Sequence, residues 1–202
     1  MSDPAGWIVV LNGAPRSGKS SIARVVQDTF DGVWMNLGVD VFARHVTPAR
    51  YRPGMGLRPG GERPEIEALI PAFYAAFYDS VAAHSRHGLN VVVDVGHHDG
   101  FSSPRGVLHD AARRLSGLPA VLVGVRCPDE VIAERRSRDE TGSYSLAPDR
   151  IRRWQEEVHR PGVYDLEVDT SVMSPEQCAE AVRVRMSGPP LTALAVLASA
   201  ME

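Results

Sequence analysis

A single lysine lies within a glycine-rich stretch near the start of the chain. Lys19 is the one lysine among 22 basic residues, the others being arginines. It completes the pattern G-x-x-x-x-G-K-[ST], in which backbone N–H groups close around phosphate oxygens and the lysine reaches the β- and γ-phosphates. Arginine does not reproduce this compact ammonium charge on a flexible stem. The pattern predicts a nucleotide-binding loop made of Gly13, Ala14, Pro15, Arg16, Ser17, Gly18, Lys19, Ser20 and Ser21.

The residues on both sides of this stretch have the context that a phosphate loop requires. An apolar run, WIVVLN at 7–12, precedes it, and Ile22, Val25, Val26 and Phe30 recur at helical spacing after it. A strand, a loop and a helix in this order direct the positive end of the helix at the bound anion. The alternative is a plain glycine-rich turn in which the lysine occurs by chance, and the flanking residues disfavour this alternative.

The same lysine limits the class of nucleotide-binding protein. A regulatory GTPase normally carries an Asn-Lys-x-Asp motif, which a chain with its one lysine at position 19 cannot contain. We therefore expect a phosphate-transferring enzyme that uses ATP, while GTP as donor stays open.

Acidic residues follow two further apolar runs. Ligands of open α/β sheets bind outside the carboxyl ends of the strands, so acids there are candidates for chemistry. Asp40 is the candidate base that takes the proton of an acceptor hydroxyl, and a helix N-cap is its alternative role. Asp94 is a candidate for holding Mg²⁺, together with the Ser20 hydroxyl, or for positioning the acceptor. Its alternative role is a structural hydrogen bond to the phosphate loop.

Other side chains are candidates for contacting the acceptor. His97 and His98 directly follow the Asp94 strand, and Tyr51 lies in an Arg- and Pro-rich segment at 47–64. We predict that these three residues, with Asp40 and Asp94, contact the substrate. An exposed turn is the alternative for the two histidines, because too few further ligands are present for a metal site.

An arginine cluster stands where a helical stretch gives way to a loop. Arg135, Arg136 and Arg138 lie in the sequence AERRSRDETGSYS. Arginines of a closing lid neutralise charge on a transferring phosphoryl group, so we predict a lid at about 136–146. A solvated surface is the alternative.

The elements that must position these residues are readable from periodicity. Continuous apolar runs at 7–12, 34–40, 89–96, 120–127 and 164–170 indicate strands buried on both faces. Amphipathic stretches between them predict helices at 19–30, 64–87, 104–116, 128–138, 148–158 and 175–186. Alternation of the two favours an α/β fold with a parallel sheet. Residues 47–64 are predicted to be a loop on the acceptor side.

Composition sets the broad class. A chain of 202 residues fits one domain, and a net charge of −3 gives no electrostatic footprint for nucleic acid. We expect a cytoplasmic protein without a membrane partner, since the N-terminus lacks a secretory signal pattern.

Cys127 and Cys178 are predicted to be buried, reduced thiols. The apolar tail at 189–202 is expected to dock on the body or to support a homo-oligomer.

Several blocks of the sequence resemble the chloramphenicol phosphotransferase family of P-loop small-molecule kinases. These are VLNG leading into the phosphate loop, GVD at 38–40, GVRC at 124–127, AERR at 133–136 and VHRPGVYDLEVDTS at 158–171. The resemblance implies the five-stranded parallel core of nucleoside and nucleotide kinases, with ATP and Mg²⁺. It makes Asp40 the catalytic base and Arg136, with Arg135 or Arg138, the lid arginines, and it puts Thr170 and Ser171 near the nucleotide base.

The departures from that family lie on the acceptor side. Asp94-Val95-Gly96 is followed by His97 and His98 where a member of that family has paired acids after the third strand, and segment 47–64 is much richer in Arg and Pro. We therefore expect transfer of phosphate to a small-molecule hydroxyl, with chloramphenicol or another antibiotic or natural product as acceptor. The alternatives are a metabolic kinase for a sugar acid, a shikimate-like alcohol or a nucleoside, and a non-catalytic nucleotide-binding module.

Overall fold

The five apolar runs form one parallel β-sheet. A computed structural model describes residues 4–138 and 148–200, and all of its strands lie in this sheet in the order β2-β3-β1-β4-β5. The strands are β1 (Ile8–Asn12), β2 (Trp34–Gly38), β3 (Asn90–Val95), β4 (Ala120–Arg126) and β5 (Leu166–Asp169). Central β1 pairs with β3 on one side and β4 on the other, which explains why its residues are all buried.

Helices cover both faces of the sheet. They are α1 (Lys19–Thr29), α2 (Val39–Val41), α3 (Pro64–Glu67), α4 (Ile70–Arg86), α5 (Val107–Arg114), α6 (Asp129–Ser137), α7 (Pro148–Val158), α8 (Pro175–Met186) and α9 (Ala193–Ser199). Alternate residues of β1 face opposite layers, as the two-residue period of a strand requires. Ile8 and Val10 pack with the layer of α4, α5 and α9, whereas Val9 and Leu11 pack with that of α1 and α8. The predicted fold class is confirmed.

Two predicted elements have different limits in the structure. The helix expected at 64–87 is interrupted between α3 and α4, because Pro71 lacks an N–H and is tolerated in the first turn of a new helix. The strand expected at 34–40 ends at Gly38, so Asp40 lies on the single turn α2. A π-helical turn, Phe42–Val46, follows α2 directly.

Segment 47–64 is more ordered than the predicted loop. It contains two short 3-10 turns, Ala49–Tyr51 and Gly54–Gly56. Met55 and Leu57 are buried in the part of the core between the sheet and the layer of α4, α5 and α9, which we call the α4-side core. We call residues 47–64 the acceptor-side segment. The buried apolar side chains anchor this segment to the core. Their spacing does not follow the period of a regular helix or strand.

The apolar tail packs on the same chain. Ala193 and Leu197 of α9 are buried in the α4-side core, where α9 contacts α5 and β4. This burial accounts for the apolar composition of the tail within one chain, and a homo-oligomer stays a prediction. Cys127 and Cys178 are buried and not bonded to each other, as predicted. Within the described residues, no helix has the length and apolar character needed to span a membrane.

Candidate active site

The phosphate loop joins β1 to α1 in the predicted strand–loop–helix arrangement. Gly18 has a φ of 95°, a left-handed conformation that glycine adopts without strain, and α1 begins at the next residue. A Cβ on Gly13 would lie 2.5 Å from the Val125 carbonyl oxygen, so a side chain does not fit there. Lys19 is buried, and its Nζ donates a 2.9 Å hydrogen bond to the Ala14 carbonyl, across the loop.

Asp94 connects this loop to β3. The Ser20 Oγ donates a 2.5 Å hydrogen bond to Asp94 Oδ2, and the Lys19 Nζ lies 3.6 Å from Asp94 Oδ1. The hydroxyl and the carboxylate are hard oxygen donors, the type that Mg²⁺ prefers. No larger cluster of His, Cys, Asp and Glu suited to a metal occurs in the part of the chain that the structure describes. The oxygen chemistry of this pair fits Mg²⁺.

Asp40 lies at the same edge of the sheet. Gly38 is the register partner of Asp94 between β2 and β3, and Asp40 follows two residues later on α2. Its side chain is 83 % exposed and lies 4.0 Å from the Arg44 guanidinium. The N-cap of α2 is Gly38, so Asp40 does not cap this helix. A solvent-accessible carboxylate is therefore available at the carboxyl edge of the sheet.

One cleft, which we call the central cleft, unites these groups. Its volume is about 790 Å³, and it contains Lys19, Ser20, Asp40 and Asp94 among its lining residues. Apolar side chains form much of the remaining wall: Val39, Val41, Met55, Leu57, Ile151 and Trp154. The cleft thus brings charged groups suited to phosphate together with a surface suited to the apolar part of a small molecule.

The three predicted lid arginines diverge. Arg136 lines the central cleft, and its pKa is lowered by burial and by the nearby cations Arg58 and Arg16. Arg138 points to solvent and pairs with Glu134 at 2.5 Å, so it does not join Arg136 there. Residues 139–147, which include most of the predicted lid at 136–146, lie outside the described residues.

Arg135 instead turns towards a second, smaller pocket beside the phosphate loop. Its Nη2 donates a 2.7 Å hydrogen bond to the Thr170 carbonyl, and the Thr170 Oγ1 donates one of 2.7 Å to the Ser17 carbonyl. This nucleotide-side pocket, of about 390 Å³, is lined by Arg16, Gly18, Lys19, Ser20, Ser21, Ile22, Arg135, Thr170, Met173 and Pro175. Thr170 and Ser171 were both predicted to lie near the nucleotide base. Thr170 lines this pocket, whereas Ser171 forms hydrogen bonds with Asp169 and does not line it.

The two predicted histidines have different positions. His97 is fully buried and does not line the central cleft, which disagrees with a direct substrate contact. Its Nε2 forms a 2.6 Å hydrogen bond with Tyr78 Oη, and its backbone N–H donates to Asn12 Oδ1. Burial lowers the pKa of His97 to about 3. His97 is a neutral core residue beneath the phosphate loop. The alternative prediction, that it lies in an exposed turn, is also wrong.

His98 does line the central cleft. Because a carbonyl only accepts, the 2.7 Å contact of its Nε2 with the Leu57 carbonyl means that Nε2 carries the proton. Burial lowers the pKa of His98, so the ring is held neutral. Tyr51 is not among the lining residues and has the Arg50 guanidinium 4.8 Å from its ring centroid. The structure thus brings His98, but not Tyr51, to the predicted acceptor site.

Arg58 and Trp154 are among the lining residues of the central cleft that were not predicted from the sequence. Arg58, in the acceptor-side segment, and Trp154, on α7, meet in the central cleft, with the Arg58 Cζ 4.7 Å from the Trp154 ring centroid. The residues lie nearly one hundred positions apart. The only signal for either was the arginine-rich composition of segment 47–64, which does not single out position 58.

Comparison with known proteins places this site in a family. The sequence model of the family of chloramphenicol phosphotransferase-like proteins matches residues 6–187 of this chain. The chain belongs to this family. It is a kinase that phosphorylates a hydroxyl group of a small molecule, and this finding disfavours the non-catalytic alternative. The chain is also 28 % identical over 188 residues to "Putative O-phosphotransferase Rv2636" of Mycobacterium tuberculosis, covering 83 % of this chain and 76 % of that one.

Solved structures agree on the fold. APS kinase of Mycobacterium tuberculosis has a TM-score of 0.63 at 18 % identity, covering 92 % of this chain and 99 % of that one. Shikimate kinase of Acinetobacter baumannii has a TM-score of 0.59 at 12 % identity, covering 90 % and 92 %. At such identities the likeness concerns the fold alone.

Proposed function

We propose that this chloramphenicol phosphotransferase-like kinase transfers the γ-phosphate of ATP to a hydroxyl of an antibiotic or another natural product. The observation that carries the proposal is the central cleft, which holds the phosphate loop and Asp40 together with an apolar wall. Chloramphenicol is one candidate acceptor. Such a reaction would serve resistance or self-protection.

Asp40 is the general base of the proposed reaction. Its carboxylate takes the proton from the acceptor hydroxyl as that oxygen forms a bond to the γ-phosphorus. The bond between the γ-phosphorus and the bridging oxygen breaks, and ADP leaves with the electron pair. The exposure of Asp40 at the cleft supports this role, because the carboxylate is open to an incoming hydroxyl and not engaged as a helix cap.

Lys19 and Arg136 neutralise the negative charge of the phosphates. Both line the central cleft, and Arg16 joins them from the phosphate loop. Charge spreads over the transferring group in the transition state, so cations placed beforehand lower the barrier. Ser20 and Asp94 are the residues that would hold Mg²⁺, which supplies further charge neutralisation of the phosphates when bound.

The nucleotide-side pocket is the proposed position of the purine base. Arg135 is fixed there by Thr170 and presents a planar guanidinium, which stacks well on an aromatic ring. Contacts to the base edge that would separate adenine from guanine are not apparent in Arg135 or Thr170. We therefore include GTP beside ATP in the test of the donor.

The decisive experiment compares Asp40→Asn with an exposed control, Asp28→Asn, on α1. Purified protein is incubated with ATP or GTP, Mg²⁺ and a panel of hydroxylated antibiotics, and phosphorylated product is detected by mass spectrometry. We expect product with the wild type and the control, and a loss of roughly 10²-fold or more with Asp40→Asn, while ATP binding persists. Near-normal turnover in Asp40→Asn would remove this residue from the mechanism.

A metabolic kinase is the second candidate, and one observation favours it. Arg44 and Arg58 line the acceptor part of the central cleft, where two cations suit a hydroxylated acid better than a neutral antibiotic. The same panel therefore includes gluconate, shikimate and nucleosides. Product from a central metabolite, with none from any antibiotic, would replace the first proposal by this one.

A further inference from the structure

One buried side chain connects the phosphate loop with elements that form the wall for the acceptor. Asn12 is the last residue of β1, directly before Gly13 begins the phosphate loop. It is fully buried and does not line the central cleft. The proposed reaction therefore gives Asn12 no contact with a substrate, and any effect on that reaction must pass through the residues that it bonds.

The Asn12 carboxamide uses its donors and its acceptor on different segments. Its Nδ2 donates a 2.8 Å hydrogen bond to the Val158 carbonyl, at the end of α7, and one of 2.9 Å to Tyr164 Oη, just before β5. Its Oδ1 accepts a 2.8 Å hydrogen bond from the His97 backbone N–H, just after β3. Because a carbonyl only accepts and a backbone N–H only donates, the orientation of the carboxamide is fixed.

Two of these segments continue into the wall of the central cleft. α7 carries Trp154, about one turn before Val158, and Trp154 lines the cleft. His97 is followed by His98, which lines the cleft as well. Asn12 is thus bonded to the elements that face the acceptor, while the next residue along its own chain begins the loop for the donor phosphates.

The phosphate loop also packs on α7 through apolar contacts. Ala14 lies in one apolar cluster with Ile151, Trp154 and Val158. Burial of such side chains stabilises the packing but is not directional, whereas a hydrogen bond depends on both distance and angle. The Asn12 hydrogen bonds therefore fix the position of α7 relative to the loop more closely than the apolar cluster does.

Phosphate transfer depends on this relative position. The attacking hydroxyl oxygen and the γ-phosphorus react from about 3–3.5 Å in an aligned geometry, and a displacement of about 1 Å costs about 10²-fold in rate. In the proposed reaction the phosphate loop holds the phosphorus and the cleft wall holds the hydroxyl. A side chain that joins loop and wall acts on the rate of transfer without touching either substrate.

We propose that Asn12 is a positioning residue for phosphate transfer, which keeps α7 and the segment of His98 in register with the phosphate loop. This inference rests on the proposed function and adds to it a residue outside the cleft. Loss of the Asn12 hydrogen bonds removes no group that binds nucleotide, so nucleotide binding should persist. Transfer to the acceptor should fall, and bound nucleotide should no longer stabilise α7.

Hydrogen exchange tests the link between the loop and α7 without an acceptor. Exchange of backbone amides in wild type, Asn12→Ala and Tyr164→Phe is followed by mass spectrometry, with and without ADP and Mg²⁺. In the wild type, ADP should slow exchange in peptides from α7 and around His97, because a ligand stabilises the elements that are joined to its site. Asn12→Ala should bind ADP with little change in affinity but lose this protection. Tyr164→Phe keeps the other Asn12 hydrogen bonds and should lose only part of it.

Transfer is measured on the same variants with an acceptor found in the panel described above. We expect kcat to fall by roughly 10²-fold in Asn12→Ala, while hydrolysis of ATP by water changes far less, because the cleft wall does not hold the water. Ser85→Ala is the matched control. It removes a buried 2.6 Å hydrogen bond to the Gly6 carbonyl, beyond the opposite end of β1. It should lower the unfolding temperature but keep both the protection by ADP and kcat.

Protection of α7 by ADP that survives in Asn12→Ala, or a kcat equal to that of Ser85→Ala, would overturn the positioning role. So would a wild type in which ADP leaves exchange in α7 unchanged. If Asn12→Ala does not fold, Tyr164→Phe decides by the same two measurements. No product from the wild type with any compound of the panel would overturn the proposed function instead, and the exchange result would then judge the link between Asn12 and α7 by itself.

Discussion

The Ser20 hydroxyl and the Asp94 carboxylate are joined by a 2.5 Å hydrogen bond across 74 positions of the sequence. Ser20 belongs to α1, directly after the phosphate loop, and Asp94 to β3 beside the cleft. The link fixes two oxygen donors on the phosphate side of the site. It also gives Lys19 a carboxylate partner at 3.6 Å, so the loop cation is oriented before nucleotide binds.

Metal dependence should respond to this pair. We expect Asp94→Asn to raise the Mg²⁺ concentration needed for half-maximal nucleotide binding by about tenfold or more, because an amide is a weaker ligand than a carboxylate. Ser20→Ala should do the same, and the double variant should be little worse than either single one. Isothermal titration with ATP at a series of Mg²⁺ concentrations measures this. Additive effects would show that the two residues act separately.

Lys19 should not be replaceable by arginine. Lys19 is buried, and its ammonium lies 2.9 Å from the Ala14 carbonyl oxygen and 3.6 Å from Asp94 Oδ1, a compact charge that a planar guanidinium does not reproduce. We expect both Lys19→Ala and Lys19→Arg to lower turnover by roughly 10²-fold or more. Arg24→Ala, at an exposed position of α1, is the control. A Lys19→Arg variant with near-normal activity would contradict the need for an ammonium group.

Buried histidines should make the protein sensitive to acid, His97 and His159 most of all. Burial lowers the pKa of His97 to about 3, and burial with Arg126 and Lys19 lowers that of His159 to about 4. In the unfolded chain both groups titrate near about 6.5. Below that pH the unfolded state binds protons that the folded state does not, so the free energy of unfolding falls as the pH decreases from about 6.5 towards 4.

The size of this effect is measurable by urea unfolding between about pH 7 and pH 5. Each histidine contributes up to about 1.4 kcal/mol per pH unit to the slope. His159→Gln should reduce this slope by up to about 1.4 kcal/mol per pH unit, because the variant lacks one group that takes up a proton on unfolding. The contribution of His97 to the slope should remain. If the slopes of wild type and variant coincide, His159 is not held neutral in the folded protein.

Gly124 of β4 should tolerate no side chain. A Cβ there would lie 2.8 Å from the Cδ2 and the Cε2 of Tyr164. Tyr164 cannot move freely, because its hydroxyl accepts a 2.9 Å hydrogen bond from Asn12 Nδ2. We expect Gly124→Ala to lower the free energy of unfolding by about 1–3 kcal/mol.

Urea unfolding of Gly124→Ala is best compared with Gly56→Ala. At Gly56 a new Cβ would meet only Pro53 Cβ at 3.7 Å, an ordinary contact, so the cost should be small. Asn12 also accepts the His97 backbone N–H, and Gly124→Ala should therefore disturb the network under the phosphate loop as well. Equal stability of both variants would mean that the Tyr164 ring adjusts without loss.

The sequence alone was sufficient to predict the sheet and the phosphate loop. Five continuous apolar runs predicted five strands buried on both faces, and local spacing was sufficient because burial follows from the order of apolar residues. The phosphate loop was equally local, since Gly13 to Ser20 form one continuous stretch that runs from the end of β1 into the first turn of α1. Residues that act within one short segment can be recognised without knowing what packs on them.

Only the tertiary structure decided the acceptor side. His97 and His98 are neighbours in sequence, yet His97 is enclosed under the phosphate loop and His98 lines the central cleft. Arg135 and Arg136 separate in the same way, towards the nucleotide-side pocket and the central cleft. Arg58 meets Trp154 through the packing of two distant segments. Such contacts depend on three-dimensional direction, which residue spacing in an irregular segment does not encode.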